Sequence, residues 1–332
     1  MSTRTENLVI GGTGFVGRYL VRELSRRGLG CRVLVRSSSQ TREIEGLPGV
    51  ELRVADICEP STLEGIAQGV RHVYHLAALG HVAAQSEEAY RNFVRINVEG
   101  TRNVLRACAG QGVEKFVHFS STAAMGLIKK TLVDESDPPQ PVTPYQKSKL
   151  ESEKAALELG RELGIPTVVV RPCMIYGVGG EGEFKKMATL MRRGMFPRFG
   201  RGKALTPLVH VKDVVQGSIK AAEKGRPGEA YLLTSERSIE RARMRELVLE
   251  AWGRRAPYPY VPVWAVYGAA SLFEWVAKVS NTTPIATRRN IASVAWDREF
   301  SIEKARRELG YQPEVSFERG IAETMAWMKG AR

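Results

Sequence analysis

Cysteine is scarce, with four residues in 332, at positions 31, 58, 108 and 173. They form no CxxC pair and have no histidine at ligand spacing. Such a pattern predicts reduced thiols in a cytoplasmic protein and offers neither a disulfide framework nor a metal site. Long apolar runs are also missing. The most apolar stretch, Tyr258 to Phe273, is broken by Pro259 and Pro262, so no integral membrane span is expected. The strand-like LVIGG begins within the first ten residues and leaves no room for a secretory leader. Acids are outnumbered, 36 against 49 Lys and Arg, for a net charge of +13. The basic residues are scattered, and Arg18, Arg22 and Arg26 recur at helical spacing, which favours a solvated helix face over a nucleic-acid surface. A large anionic cofactor would be drawn to the same field. What is present fits a globular chain: 43% hydrophobic and 26% charged residues, without repeats or low-complexity tracts. The length allows about two domains.

Short β-branched runs alternate with amphipathic stretches through the first half. NLVIG, CRVLVR, ELRVAD, HVYHLAA, KFVHFSS and PTVVVRP read as strands. Segments such as FVGRYLVREL between them repeat their apolar positions every three or four residues. This alternation predicts an α/β fold, a doubly wound parallel sheet with helices on both faces. After Pro172 glycine and proline rise in YGVGGEGEF and RFGRGKALTP. PLVHVKDVVQGS and AYLLT then return to strand–helix character, and the remainder is mostly helical. The expected division is a nucleotide-binding core over 1–175, rejoined by 206–234. A smaller, mostly helical substrate lobe is expected from 176–205 and 235–332.

GGTGFVG follows the first strand and opens the first helix. Gly11, Gly14 and Gly17 permit a tight turn that brings backbone N–H groups against a pyrophosphate at the helix N-terminus. At the end of the second strand an acid would bind a ribose 2′-hydroxyl, whereas a base suits a 2′-phosphate. The chain has Arg36-Ser37-Ser38-Ser39 there, and no acid before Glu43. NADP is therefore the expected cofactor, with NAD as the other candidate. TPYQKSK places Tyr145 and Lys149 on one helix face by their i, i+4 spacing. An ammonium beside a phenol whose ordinary pKa is about 10 stabilises the phenolate, as acid–base work requires. Ser120 and Ser121 end the fifth strand, at the same sheet edge as the glycine turn.

In order and spacing, GGTGFVG, HLAA, the serine pair, Y-x-x-x-K and RPCMIYG resemble the extended short-chain dehydrogenase/reductase family, with its Rossmann-type core. The resemblance implies Ser121, Tyr145 and Lys149 as the catalytic triad. It implies Gly11, Gly14, Phe15, Val16 and Gly17 at the phosphate turn, and Asp56 and Ile57 beside adenine. Ala77 and Ala78, Asn97 and Pro172 complete the implied cofactor contacts.

Two branches of that family fit differently. Nucleotide-sugar epimerases usually carry N-V-Y-G where this chain has Met174-Ile175-Tyr176-Gly177, so their polar anchor is missing. Arg201 and Lys203 lie in the loop that contacts diphosphate in sugar enzymes. The 3β-hydroxysteroid dehydrogenase and dihydroflavonol reductase branch is closer, through VLVR, FSIEKARRELGY and the apolar Tyr260–Asn281. That segment, read as a helix, would be a core element, a pocket wall or a membrane-surface patch. The implied activity interconverts a secondary alcohol and a ketone on a hydrophobic substrate, touched by Ser121, Thr122, Met174 and Trp264. A nucleotide-sugar epimerase or dehydratase, and a non-enzymatic cofactor-binding regulator, are the other readings. The resemblance also implies a homodimer packed through helices near 97–110 and 145–163.

Overall fold

The computed structural model describes residues 5–80, 86–196, 204–255 and 298–330, with the isolated positions 198–199, 257, 260–262, 264–265, 268 and 271. Seven parallel strands form one sheet: β1 (Thr5–Ile10), β2 (Gly30–Val35), β3 (Val50–Val54), β4 (His72–His75), β5 (Lys115–Phe119), β6 (Thr167–Pro172) and β7 (Ala230–Leu233). Their spatial order is β7-β6-β5-β4-β1-β2-β3. β1 therefore has β2 on one side and β4 on the other, with Ile10 opposite Leu34 and His75. At such a reversal the connections leave to opposite faces and open a crevice at the carboxyl ends of the strands.

Most of the strands are apolar on both faces because both faces are covered; the edge strand β3 is largely exposed. Val9, Val33, Val117 and Val168 join Leu20 and Leu24 of α1 (Phe15–Arg26) and Val214 and Ile219 of α6 (Val211–Lys224) in one core. The alternate residues Leu8, Ile10, Leu34 and Phe116 face Val104 and Leu105 of α3 (Gly100–Cys108) and Ala156 of α4 (Pro144–Glu162). The period-two switch between neighbours such as Leu8 and Val9 fills two cores from one strand.

A third core lies outside the sheet. Phe184 and Met191 of α5 (Glu183–Arg192), Met244 and Val248 of α7 (Arg241–Trp252), and Ile321 and Met325 of the C-terminal helix Phe317–Gly330 pack with Tyr176. The chain reaches this lobe through Met174–Tyr176, which pairs in parallel with Leu208–His210. The expected helix over 260–281 begins later than its first residues, and its described positions 264, 265, 268 and 271 are helical. Tyr260–Val261 pairs as a short strand with Arg198–Phe199, because two flanking prolines favour extended backbone. Most of that segment, including Phe273, lies outside the described residues, as do Arg201 and Lys203.

Candidate functional site

The glycine turn is built by close approach. A Cβ on Gly17 would stand 2.1 Å from the Gly11 carbonyl oxygen, and one on Gly11, whose φ is +88°, would stand 2.7 Å from the Ala77 nitrogen. Gly14 caps α1 without a side-chain hydrogen bond, so the first-turn N–H groups of Phe15 and Val16 have no capping side chain. They meet an anion arriving at the positive end of the helix. The Val16 side chain itself packs toward the core, and the Phe15 ring lies edge-on to Tyr19. These two residues thus offer backbone rather than side chain.

A cavity of about 360 Å³ opens beside this turn, lined by Gly11, Gly14, Arg36, Asp56, Ile57, Ala77 and Ala78. The residues fit a dinucleotide: free N–H groups stand at one end and a basic side chain at the other. The Arg36 backbone N–H donates to Ser39 Oγ at 2.9 Å, which closes the turn after β2. Glu43, the nearest acid in sequence, is taken by Arg18 and Arg22. No carboxylate among the described residues pairs with Arg36. Asp56 Oδ1 accepts from the Cys58 N–H at 2.8 Å. Thr13, Ser39 and Arg95 also line the cavity. Sequence reasoning missed Thr13 and Arg95, and nothing in the residue pattern marks them.

Asn97 does not lie on an ordinary helix. It sits in a π-helical segment, Val94–Glu99, between α2 (Glu87–Phe93) and α3. Such wide turns re-aim a side chain and are frequent at functional sites. Asn97 Oδ1 accepts from the Leu79 N–H at 2.7 Å, and its Nδ2 donates to Ser148 Oγ at 3.1 Å. Its amide is therefore spent on protein. It supports the Ala77–Ala78 wall through Leu79 instead of facing the cavity.

The three candidate catalytic side chains come from two elements. α4 starts on a capping box, with Thr143 accepting from the Gln146 N–H, the Gln146 side chain reaching back, and Pro144 in the first turn. That start fixes where Tyr145 and Lys149 emerge. Lys149 is 3% exposed, and its Nζ donates to the Phe119 carbonyl at the end of β5, 2.6 Å away. Burial pulls its pKa down to about 8, against an opposing pull from Glu153. Tyr145 is half-buried, its ring 5.8 Å from that of Phe93. Burial raises the phenol above its ordinary value. The lowering expected from Lys149 is not what this arrangement shows, since burial shifts the phenol the other way. Ser121 is half-buried, and its Oγ accepts from the Ala123 N–H at 3.1 Å, which leaves its own proton to donate. Ser120, by contrast, is buried.

Pro172 ends β6 and is buried, Thr122 opens the turn after Ser121, and Met174 packs against the third core. Trp264 is 77% exposed. It belongs to none of the three cores formed by the described residues. One contact escaped the sequence altogether: Arg298 Nη1 donates to the Gly126 carbonyl at 3.0 Å, tying the C-terminal region to the loop behind Ser121. A Cβ at Gly126 would stand 1.8 Å from the Gln140 oxygen, so that loop is closed on its other side too.

Against known proteins, the model of the NAD dependent epimerase/dehydratase family matches residues 7–233. A ketoreductase of 4-hydroxy-2-methyl-3-oxo-4-farnesyl-3,4-dihydroquinoline-1-oxide from Stigmatella aurantiaca is 33% identical over 318 residues, covering 94% of this chain and 93% of the relative. A 3 beta-hydroxysteroid dehydrogenase/Delta 5-->4-isomerase from Mycobacterium tuberculosis is 29% identical, covering 96% and 89%. Among solved structures, that of gox2253 superposes with a TM-score of 0.84 at 31% identity, covering 98% of each chain. UDP-glucose 4-epimerase from Thermotoga maritima superposes at 0.78 and 25% identity, covering 98% and 99%.

Proposed function

Since the chain belongs to the NAD-dependent epimerase/dehydratase family, and is an NAD(P)-dependent enzyme of the short-chain dehydrogenase/reductase type, we propose that it reduces a ketone on a hydrophobic molecule. NADPH is the proposed reductant. The observation that carries this reading is Lys149, buried one helical turn from Tyr145 and anchored at the carboxyl end of β5, the same edge as the glycine turn. The S. aurantiaca and M. tuberculosis relatives, named for a farnesylated quinoline and for steroids, support the substrate class.

The glycine turn and the N-terminus of α1 would hold the pyrophosphate, and Arg36 the 2′-phosphate. When bound, the nicotinamide supplies the hydride. Ser121 donates its hydroxyl proton as a hydrogen bond to the substrate oxygen and fixes the carbonyl. Tyr145 transfers its phenolic proton to that oxygen as the carbonyl carbon gains the hydride, leaving an alcohol and a phenolate. Burial favours the protonated phenol, which suits a proton donor in the reducing direction. Lys149 stabilises the phenolate until solvent reprotonates it.

The epimerase reading has the T. maritima likeness in its favour. Met174 counts against it, since it offers no polar anchor where a sugar diphosphate would need one. Homodimerisation through the faces of α3 and α4 is part of the proposal and is read by sedimentation. NADPH oxidation screened against steroids, prenylated quinolones and other ketones, with UDP- and dTDP-sugars alongside, tests the whole. Turnover of an apolar ketone is expected; tight saturable binding of UDP or dTDP would overturn the assignment.

A further inference from the structure

Lys149 carries a positive charge into a place with almost no water, and the groups around it are mostly of no help. From the sheet it is faced by His75 of β4 and His118 of β5, both fully buried and held neutral by burial, with the lysine itself adding to the effect. The two imidazoles stand 5.7 Å apart, bonded to Thr101 and Ser152. From its own helix come the Tyr145 phenol and, one turn further on, Glu153. Among the described residues Glu153 is the one anion acting on the ammonium, and it is itself 3% exposed.

Glu153 is gripped in turn. Arg171, 6% exposed, donates Nε to Oε2 at 3.0 Å and Nη2 to Oε1. The same guanidinium reaches the Met125 sulfur with Nη1 at 3.0 Å. One buried ion pair thus touches α4, which bears Tyr145 and Lys149; β6, next to Pro172; and the turn that follows Ser121. A bidentate guanidinium keeps a buried carboxylate ionised and fixed in direction. An ionised carboxylate four residues along a helix is placed to stabilise an ammonium.

We propose that Glu153, clamped by Arg171, is a positioning residue that keeps Lys149 protonated and holds the catalytic helix in register with the strand and the serine loop. The part of this that concerns turnover rests on the reductase reading; the part that concerns the charge of Lys149 does not. An ordinary structural ion pair would join the same elements and leave the lysine's titration alone, so titration is the discriminating measurement.

The experiment follows the Lys149 side chain by NMR in wild type, Glu153→Gln and Glu153→Gln/Arg171→Met, assigned by its loss in Lys149→Arg. The double variant strands no guanidinium without its carboxylate, and replacement of a buried pair by uncharged groups is generally tolerated. Both variants are expected to lower the midpoint of Lys149 by one pH unit or more. The alkaline limb of kcat for ketone reduction should fall by the same interval, with KM for NADPH little changed. A midpoint that stays in place while only the melting temperature drops overturns the proposal. A midpoint that moves in a protein with no reductase activity keeps it, and overturns the reductase reading instead.

Discussion

The phenol of Tyr145 sheds a proton only against the resistance of its own burial, so removing its oxygen should be costly to chemistry and cheap for binding. Tyr145→Phe is expected to lower kcat by ~10²–10⁴-fold and to leave the dissociation constant for NADPH unchanged in a fluorescence titration. Arg36 makes the opposite case. Its guanidinium has no carboxylate partner among the described residues, and Glu43 is held by Arg18 and Arg22. Arg36→Ala should weaken NADPH by about one to two decades and leave NADH where it was. Equal loss for both cofactors would mean that Arg36 shapes the cavity without reading the phosphate. Arg95, on the same cavity, is the natural comparison for that titration.

Among the elements, the π-helical segment Val94–Glu99 carries Asn97, whose side chain ties it to Leu79 and to Ser148 of α4. Asn97→Leu removes the acceptor for the Leu79 N–H and leaves it unpartnered, a loss of roughly 1–3 kcal/mol. The expected result is a lower melting temperature together with weaker cofactor binding, because the Ala77–Ala78 wall loses its support. Unchanged binding in a folded variant would free the wall from Asn97. Most of the sheet strands were legible from residues alone, since strands covered on both faces must be apolar at consecutive positions, as TVVV in β6 is. The start of α4 was legible for another reason: Thr143, Pro144 and Gln146 write a capping box in four letters. The π segment was not, because no residue type encodes a five-residue return. Nor were Arg95, Arg298 and the Glu153–Arg171 pair, whose meaning depends on neighbours that only the tertiary structure supplies. Trp264 stands exposed, a placement that an aromatic in an apolar stretch does not announce.

Over the whole molecule, buried histidine contributes to the response to acid. His75 is pulled down to about 3 and His210 to about 4, with His118 well below its ordinary value, all chiefly by burial. Each stays neutral in the fold but takes a proton near pH 6.5 when the chain unfolds. Between those values the unfolded state binds more protons, so the contribution of these groups to stability is complete above pH 6.5 and is lost as pH falls below it. Each group can contribute up to about 1.4 kcal/mol per pH unit. Melting temperatures measured from pH 7.5 to 5 should decline, and His118→Asn should flatten the slope. A slope unaltered by that replacement would assign the acid response to other groups.

The order in which the sheet is completed has a consequence for the chain as it is made. β6 emerges with its outer edge bare, and its partner β7 follows only after residues 173–229, which include α5 of the smaller lobe and α6 of the sheet core. Until Ala230 arrives to pair with Val169, the growing polypeptide presents an apolar strand with unmet N–H and C=O groups, a template for association with another chain. Slow synthesis or premature termination within 173–229 should therefore yield aggregates rather than soluble fragments, and chaperone capture of nascent chains should peak in that interval and fall once Leu233 has cleared the ribosome.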